Sequence, residues 1–181
     1  MKIIAFGHRS RMGKNTCADI LASYLHGKIK IVSFADTLKE ACFVMFKWDG
    51  MKDKIYYEIH PEARNVKLPN IGMTPVEIWI KVGTPLIREG IYNDNWIEAT
   101  FHQEMNVDYL IITDLRFPNE VEAIRKRNGI IIKVTNTRVS YRDSVADAAL
   151  SSFENWDHYI ENEGTINDLQ KRVSELLPCI K

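Results

Sequence analysis

The feature that most limits what this chain can fold into is the loop Gly7-His8-Arg9-Ser10-Arg11-Met12-Gly13-Lys14-Asn15-Thr16, which follows an apolar run at 2–6 and precedes a helical pattern. A glycine-containing loop between a strand and a helix can turn successive backbone N–H groups inward around a phosphate, and the positive end of the helix dipole adds to the attraction. Lys14 is placed to reach β- and γ-phosphates, and Thr16 offers a hydroxyl to a phosphate or to Mg²⁺. The usual pattern, G-x-x-x-x-G-K-[S/T], has a glycine where this chain has His8. Gly7 stands one residue early, and Asn15 displaces the hydroxyl residue by one. The competing reading is a loop that only turns the chain ahead of a helix.

Strands and helices alternate around this loop. Short runs rich in Ile and Val at 2–6, 29–34, 109–113 and 130–134, with a weaker one at 158–161, mostly lack strict alternation, as strands buried on both faces do. The stretch 14–25 spaces Cys17, Ile20, Leu21, Tyr24 and Leu25 as a helix would. At 117–127, Pro118 near the first turn and Asn128-Gly129 at the end are helix start and stop signals. Thr74-Pro75-Val76-Glu77 and Thr165-Ile166-Asn167-Asp168 read as capping boxes. The order predicts an α/β fold of three layers, with a mainly parallel five-stranded sheet and helices on both faces. Two polar stretches, 48–72 and 136–150, interrupt it, and 181 residues suit a single domain, 1–181, carrying two insertions.

Twenty-four Lys+Arg balance 24 Asp+Glu, for a formal net charge of +0. That argues against broad electrostatic capture of a nucleic-acid polymer or an anionic membrane, but not against a small anionic ligand. Cys17, Cys42 and Cys179 have no CxxC spacing, which fits a reducing compartment and neither a disulfide framework nor a zinc site. No signal-peptide core or membrane-length apolar run is present, and the expectation is a cytoplasmic protein.

A second motif follows the third apolar run. Asp114 closes it, at the carboxyl edge where ligands of open α/β sheets gather. A carboxylate there can hold Mg²⁺ or its waters, and Arg116 can clamp a phosphoryl group. Alternatively, Asp114 bonds local amides and pairs with Arg116. Asp36, after the second run, either caps the next helix or touches an acceptor. Arg88, Arg138 and Arg142 are further cations able to neutralise a phosphoryl group, the last two on a stretch long enough to close as a lid over bound phosphates. Singly, each arginine reads equally as a surface charge.

The string Thr113-Asp114-Leu115-Arg116-Phe117-Pro118-Asn119-Glu120 resembles the D-x-R-F-x-N-E signature of bacteriophage deoxynucleoside monophosphate kinases. Four further segments resemble that family in order. They are Gly13-Lys14-Asn15-Thr16, where the family commonly has Gly-Lys-Asp-Thr; Phe34-Ala35-Asp36 with Leu38-Lys39; Gly83-Thr84 with Arg88 and Trp96; and Ile160-Glu161-Asn162 with Gly164-Thr165 and Asp168-Leu169. The likeness runs nearly end to end. It implies a P-loop kinase of the nucleoside-monophosphate-kinase type, with a monophosphate-binding insertion at 48–72 and a short lid at 136–150. The implied substrates are ATP, with Mg²⁺, and a deoxynucleoside 5′-monophosphate. Carried over, Arg11, Met12, Gly13, Lys14, Asn15 and Thr16 hold ATP. Asp36, Lys39, Arg88, Asp114 and Arg116 surround the acceptor and the transferring group, and Thr16 and Asp114 serve the metal. The acceptor's base stays open, because 48–72 is expected to vary among members, and homodimerisation is left open too. If the enzyme is phage-encoded, its compartment is the host cytoplasm. Two other readings compete: a kinase of similar architecture for a small non-nucleotide phosphate such as phosphomevalonate, and a P-loop module that binds nucleotide without transfer.

Overall fold

The structure, a computed structural model, describes residues 1–103, 105–140 and 144–180. In chain order its elements are β1 (Lys2–Gly7), α1 (Lys14–Tyr24), β2 (Ile29–Val32), α2 (Asp36–Phe46), α3 (Lys54–Ile59), α4 (Pro75–Lys81), α5 (Asn95–Phe101), β3 (Tyr109–Leu115), α6 (Pro118–Arg125), β4 (Ile130–Thr135), α7 (Val145–Ala148), β5 (His158–Glu161), α8 (Ile166–Ser174) and α9 (Leu177–Ile180). Two 3₁₀ turns, Lys47–Asp49 and Pro61–Asn65, and a wider π-type turn, Val82–Glu89, complete the set. The chain forms two compact units, one from Met1–Ser33 with Glu104–Lys181, the other from Phe34–Gln103.

The first unit holds the sheet. All four strand pairings are parallel, in the order β2-β3-β1-β4-β5. Central β1 is buried from Ile3 through Gly7, as an unbroken apolar run requires when both faces are covered. On one face Ile4, Phe6, Ile111, Ile132, Val134 and Ile160 pack with Cys17, Ala18 and Leu21 of α1 and Leu169 and Val173 of α8. Residues of a strand alternate between faces, so Ile3 points the other way, toward Ile124 of α6. Gly129 lies close against both: a Cβ there would stand 2.6 Å from an Ile124 methyl and 3.2 Å from the Ile3 Cβ. The α6 helix ends at Arg125, two residues short of the 117–127 read from sequence, and the expected stop signal forms just beyond, with Asn128 at φ 55° and the Gly129 N–H bonded to the Ile124 carbonyl.

The crossover through α1 carries the chain from β1 past β3 to β2, and the crossover through α6 carries it from β3 past β1 to β4. Crossovers of one hand that run in opposite directions fall on opposite faces and leave a crevice at the carboxyl ends of β1 and β3. The register sharpens that edge. Ala5 lies opposite Ile112 but Gly7 lies opposite Leu115, so β3 carries an extra residue just before its end. A bulge of this kind re-aims side chains, and Asp114 sits in it.

The second unit is helical. The stretch 48–72, read from sequence as a polar interruption, is built around a buried carboxylate. Asp49 accepts from the Asn70 N–H (3.1 Å), the Asn70 amide (2.6 Å) and the Ile71 N–H (2.9 Å). Burial opposes the charge, but these donors outweigh it and hold the carboxyl below its ordinary range. The Thr74 capping box forms as predicted, with Glu77 N–H donating to the Thr74 hydroxyl and Thr74 N–H to the Glu77 carboxylate. Pro85, which has no N–H, lies within the wider turn that continues α4, where a regular α-helical ladder is interrupted.

Candidate active site

Backbone strain marks the loop after β1. His8 stands at φ 91°, Arg11 at 62° and Gly13 at 93°. The loop thus needs three left-handed residues and has glycine at one of them. His8 takes the conformation that glycine gives the usual motif. Its ring Nδ1 is buried with no hydrogen-bond partner among the described residues. Burial, with Lys133, Arg9 and Lys14 adding to it, pushes the imidazole pKa down to about 4 against a backbone bond to Val134, so the ring is neutral at pH 7.

Lys14 opens α1 and is only 6% exposed. Its ammonium donates to the carbonyls of His8 (3.2 Å) and Arg9 (2.5 Å). Burial, then the Arg116 charge, lowers its pKa to about 8, while Asp114 and Asp147 act to raise it. Lys14, Asp114, Arg116 and Asp147 therefore share one electrostatic environment. Asp114 accepts from the Ser33 hydroxyl at 2.5 Å. Arg116 donates its guanidinium to Asp147 at 3.0 Å, so its partner is Asp147 and not Asp114, as the alternative reading of the sequence had it. The Glu120 carboxylate accepts from the backbone N–H groups of Arg116 (2.8 Å) and Phe117 (3.1 Å), which gives the R-F-P-N-E string its physical meaning. It is a fixed corner that presents the arginine.

Asp147 also accepts from the Ser10 N–H (2.8 Å) and the Ser10 hydroxyl (2.7 Å). From the far end of the sheet, Asn162 donates its amide to the Met12 carbonyl at 3.1 Å. Arg138 donates to the carbonyls of Asn162 (3.4 Å) and Gly164 (3.2 Å). Met12 is buried in the core cluster, whereas Arg11, Asn15 and Thr16 are exposed. Arg142 lies outside the described residues.

The second unit carries the other sequence candidates. Asp36 is the first residue inside α2, whose capping position is Ala35, and its carboxylate pairs with Lys54 at 2.9 Å. The capping alternative is thereby corrected: Asp36 faces a lysine from the 48–72 stretch. Lys39 holds its ammonium 6.0 Å from the centre of the Trp79 ring. Arg88 is buried and donates to the Asn93 carbonyl at 3.3 Å.

Three residues of these networks escape a reading of the sequence: Ser33, Glu120 and Asp147. Glu120 had a signal, being the third helical residue after Phe117, where a capping-box acid belongs. Ser144 and Asp147 read as a helix start, and Ser144 does accept from the Asp147 N–H. Nothing local says that the Asp147 carboxylate turns to Ser10, 137 positions away.

The model of the deoxynucleotide monophosphate kinase family matches residues 79–173, more than half of the chain. The chain belongs to the deoxynucleotide monophosphate kinase family. The matched span includes Arg88, Asp114 and Arg116, with the phosphate loop N-terminal to it. A protein of Acanthamoeba polyphaga mimivirus, provisionally described as a deoxynucleotide monophosphate kinase, is 26% identical over 187 residues, covering 93% of this chain and 92% of the viral one. Among solved structures, shikimate kinase from Bacteroides thetaiotaomicron is 15% identical, with a TM-score of 0.53 and 98% of both chains covered. Shikimate kinase from Aquifex aeolicus is 12% identical, with a TM-score of 0.52 and 98% of this chain and 96% of that one covered. These likenesses establish the P-loop kinase fold, and the family establishes a phosphotransferase enzyme. Among the described residues of the kinase, no helix is long and apolar enough to cross a membrane, and no group of three or more His, Cys, Asp or Glu is placed to hold a metal ion.

Proposed function

We propose that the kinase transfers the γ-phosphoryl of ATP to a deoxynucleoside 5′-monophosphate, releasing the deoxynucleoside diphosphate and ADP. The observation that carries this reading is the buried Lys14 ammonium beside Asp114, Arg116 and Asp147 at the carboxyl edge of β1 and β3. An oxygen of the acceptor phosphate attacks the γ-phosphorus as its bond to the β–γ bridging oxygen breaks, and catalysis is positioning plus neutralisation of charge. We assign the loop N–H groups, Lys14 and the exposed Arg11, Asn15 and Thr16 to the phosphates of ATP. Arg138 and Arg142 of the 136–150 stretch act as its lid, and Arg116 neutralises the phosphoryl in flight. Asp36, Lys39 and Arg88 recognise the acceptor, with 48–72 as the insertion that shapes its preference. The Thr16 hydroxyl and Asp114 carboxylate are hard oxygen donors suited to Mg²⁺, which takes such groups together with phosphate oxygens and neutralises their charge. The free thiols of Cys17, Cys42 and Cys179 suit the reducing cytoplasm in which nucleotides are found.

The test is a coupled ADP-release assay with dTMP, dGMP, dCMP and dAMP, ribonucleotide and phosphomevalonate controls, and the Lys14→Met variant. Acceptor-dependent ADP release with one or more deoxynucleotides is expected. Lys14→Met is expected to abolish it, and more than about a tenth of wild-type activity in that variant would remove Lys14 from its role. If no deoxynucleotide raises ADP release above ATP alone, the substrate assignment is wrong.

A further inference from the structure

Asp147 carries a charge to which the mechanism above gives no task. Its side chain is 2% exposed, and a carboxylate that far from water is costly unless it is paired and hydrogen-bonded. The bonds it makes are unusual in what they join. One oxygen, Oδ1, accepts from both the Ser10 N–H (2.8 Å) and the Arg116 guanidinium (3.0 Å), while Oδ2 accepts from the Ser10 hydroxyl (2.7 Å). Ser10 belongs to the phosphate loop, Arg116 to the corner after β3, and Asp147 to α7 in the 136–150 stretch. Because the loop amide and the guanidinium share one oxygen, neither can shift without disturbing the other.

Arg116 is held from its other end as well, since Glu120 fixes its backbone N–H. With the backbone fixed, the guanidinium still has four side-chain torsions to settle, and Asp147 settles them. We propose that Asp147 is a positioning residue for phosphoryl transfer, clasping Arg116 and the phosphate loop into one geometry. The proposal rests on the kinase reading above. A charge aimed at a developing transition state is useful only where it is held in place, and a displacement of about 1 Å can cost on the order of 100-fold in rate. The carboxylate is the group that fits. An amide keeps an oxygen for Ser10 but gives Arg116 only a neutral acceptor, roughly half as strong as a charge-assisted one.

The experiment compares Asp147→Asn and Asp147→Ala with wild type, each also in an Arg116→Ala background, for kcat, KM for ATP and melting temperature. Asp147→Ala is expected to lower kcat by ~30–100-fold and Asp147→Asn by ~10-fold. With Arg116 already removed, either change should cost less than ~3-fold, because the group it positions is gone. A residue that only pins α7 would lower the melting temperature and leave kcat alone. The proposal is overturned if both variants keep kcat within ~3-fold of wild type, or if their losses multiply fully with that of Arg116→Ala. If Asp147→Ala does not fold, the near-isosteric Asp147→Asn decides. If wild type turns over no acceptor, the substrate reading has failed separately. The same four-way cycle is then read as the affinity for mant-ATP, where non-additive losses support the clasp and fully additive ones refute it.

Discussion

Replacing His8 with glycine should stabilise the enzyme, although it deletes a half-buried side chain. A non-glycine residue in the left-handed region costs about 1–2 kcal/mol, and His8 stands at φ 91°. Glycine at that position gives back about 0.5–1 kcal/mol through the greater freedom of its unfolded state. The ring also keeps a buried Nδ1 with no partner among the described residues, a deficit of about 1 kcal/mol that the substitution removes, against a comparable loss of packing. The balance is about 1 kcal/mol in favour of glycine, or roughly 2–4 °C in melting temperature for a chain of 181 residues. The effect should depend on pH. The imidazole pKa is about 4 in the fold and 6.5 in the unfolded chain. As pH falls from 6.5 toward 4, the unfolded chain takes up a proton that the folded one refuses, so wild-type stability falls across that window. His8→Gly lacks this term, and its advantage should widen from about pH 7.5 to about pH 5. Thermal unfolding at both pH values checks this, with His8→Ala as the control that loses the ring but keeps the strain. If His8→Gly is no more stable than His8→Ala near pH 7.5, strain at His8 is not the cause; if its advantage over wild type shrinks near pH 5, the ring is not held neutral by burial.

Other substitutions probe the same architecture. With a pKa lowered from 10.5 to about 8, Lys14 loses its ammonium above pH 8, so kcat/KM should fall on the alkaline side with a midpoint there. Bound phosphates favour the charged form and should move that limb higher in kcat. Stability should rise between about pH 8 and 10.5, where the unfolded chain binds the proton that folded Lys14 gives up. Gly13→Ala puts a Cβ on a residue at φ 93° and into the Asn162 amide that holds the Met12 carbonyl. A loss of about 1–3 kcal/mol is expected in urea unfolding, together with weaker mant-ATP binding. Glu120→Ala strands the Arg116 and Phe117 N–H groups and should cost about 2–4 kcal/mol, whereas Glu120→Gln keeps an acceptor oxygen and should lose much less by the same measurement.

Local patterns carried far in this chain. Four apolar runs and the weaker 158–161 all became strands; β1 and β3, buried on both faces, show themselves as near-continuous apolar runs, whereas the edge strands β2 and β5 are only partly buried. The Thr74 and Thr165 capping boxes formed because each involves residues only three positions apart. The misreadings came where distant groups decide. The second run was expected to continue to 34, but β2 ends at Val32 and Ser33 gives its hydroxyl to Asp114. The stretch 48–72, read only as a polar interruption, contains α3, capped by Asp53 through the Tyr56 N–H, and closes on the buried Asp49. The Asp53 cap was readable, but the partners of Asp49, 21 and 22 residues on, were not.

By itself the sequence determined the alternation of strands and helices, the strand–loop–helix that carries Lys14 and the acidic strand end at Asp114, since each depends on hydrophobic periodicity or on neighbours along the chain. Tertiary structure decided how the charges are wired. Whether Arg116 pairs with Asp114 or Asp147 depends on which carboxylate the fold brings to the guanidinium, and sequence distance carries no information about that. The same holds for His8. Its identity is plain in the sequence, but that it bears the strain ordinarily left to glycine appears only once β1 and α1 fix the two ends of the loop.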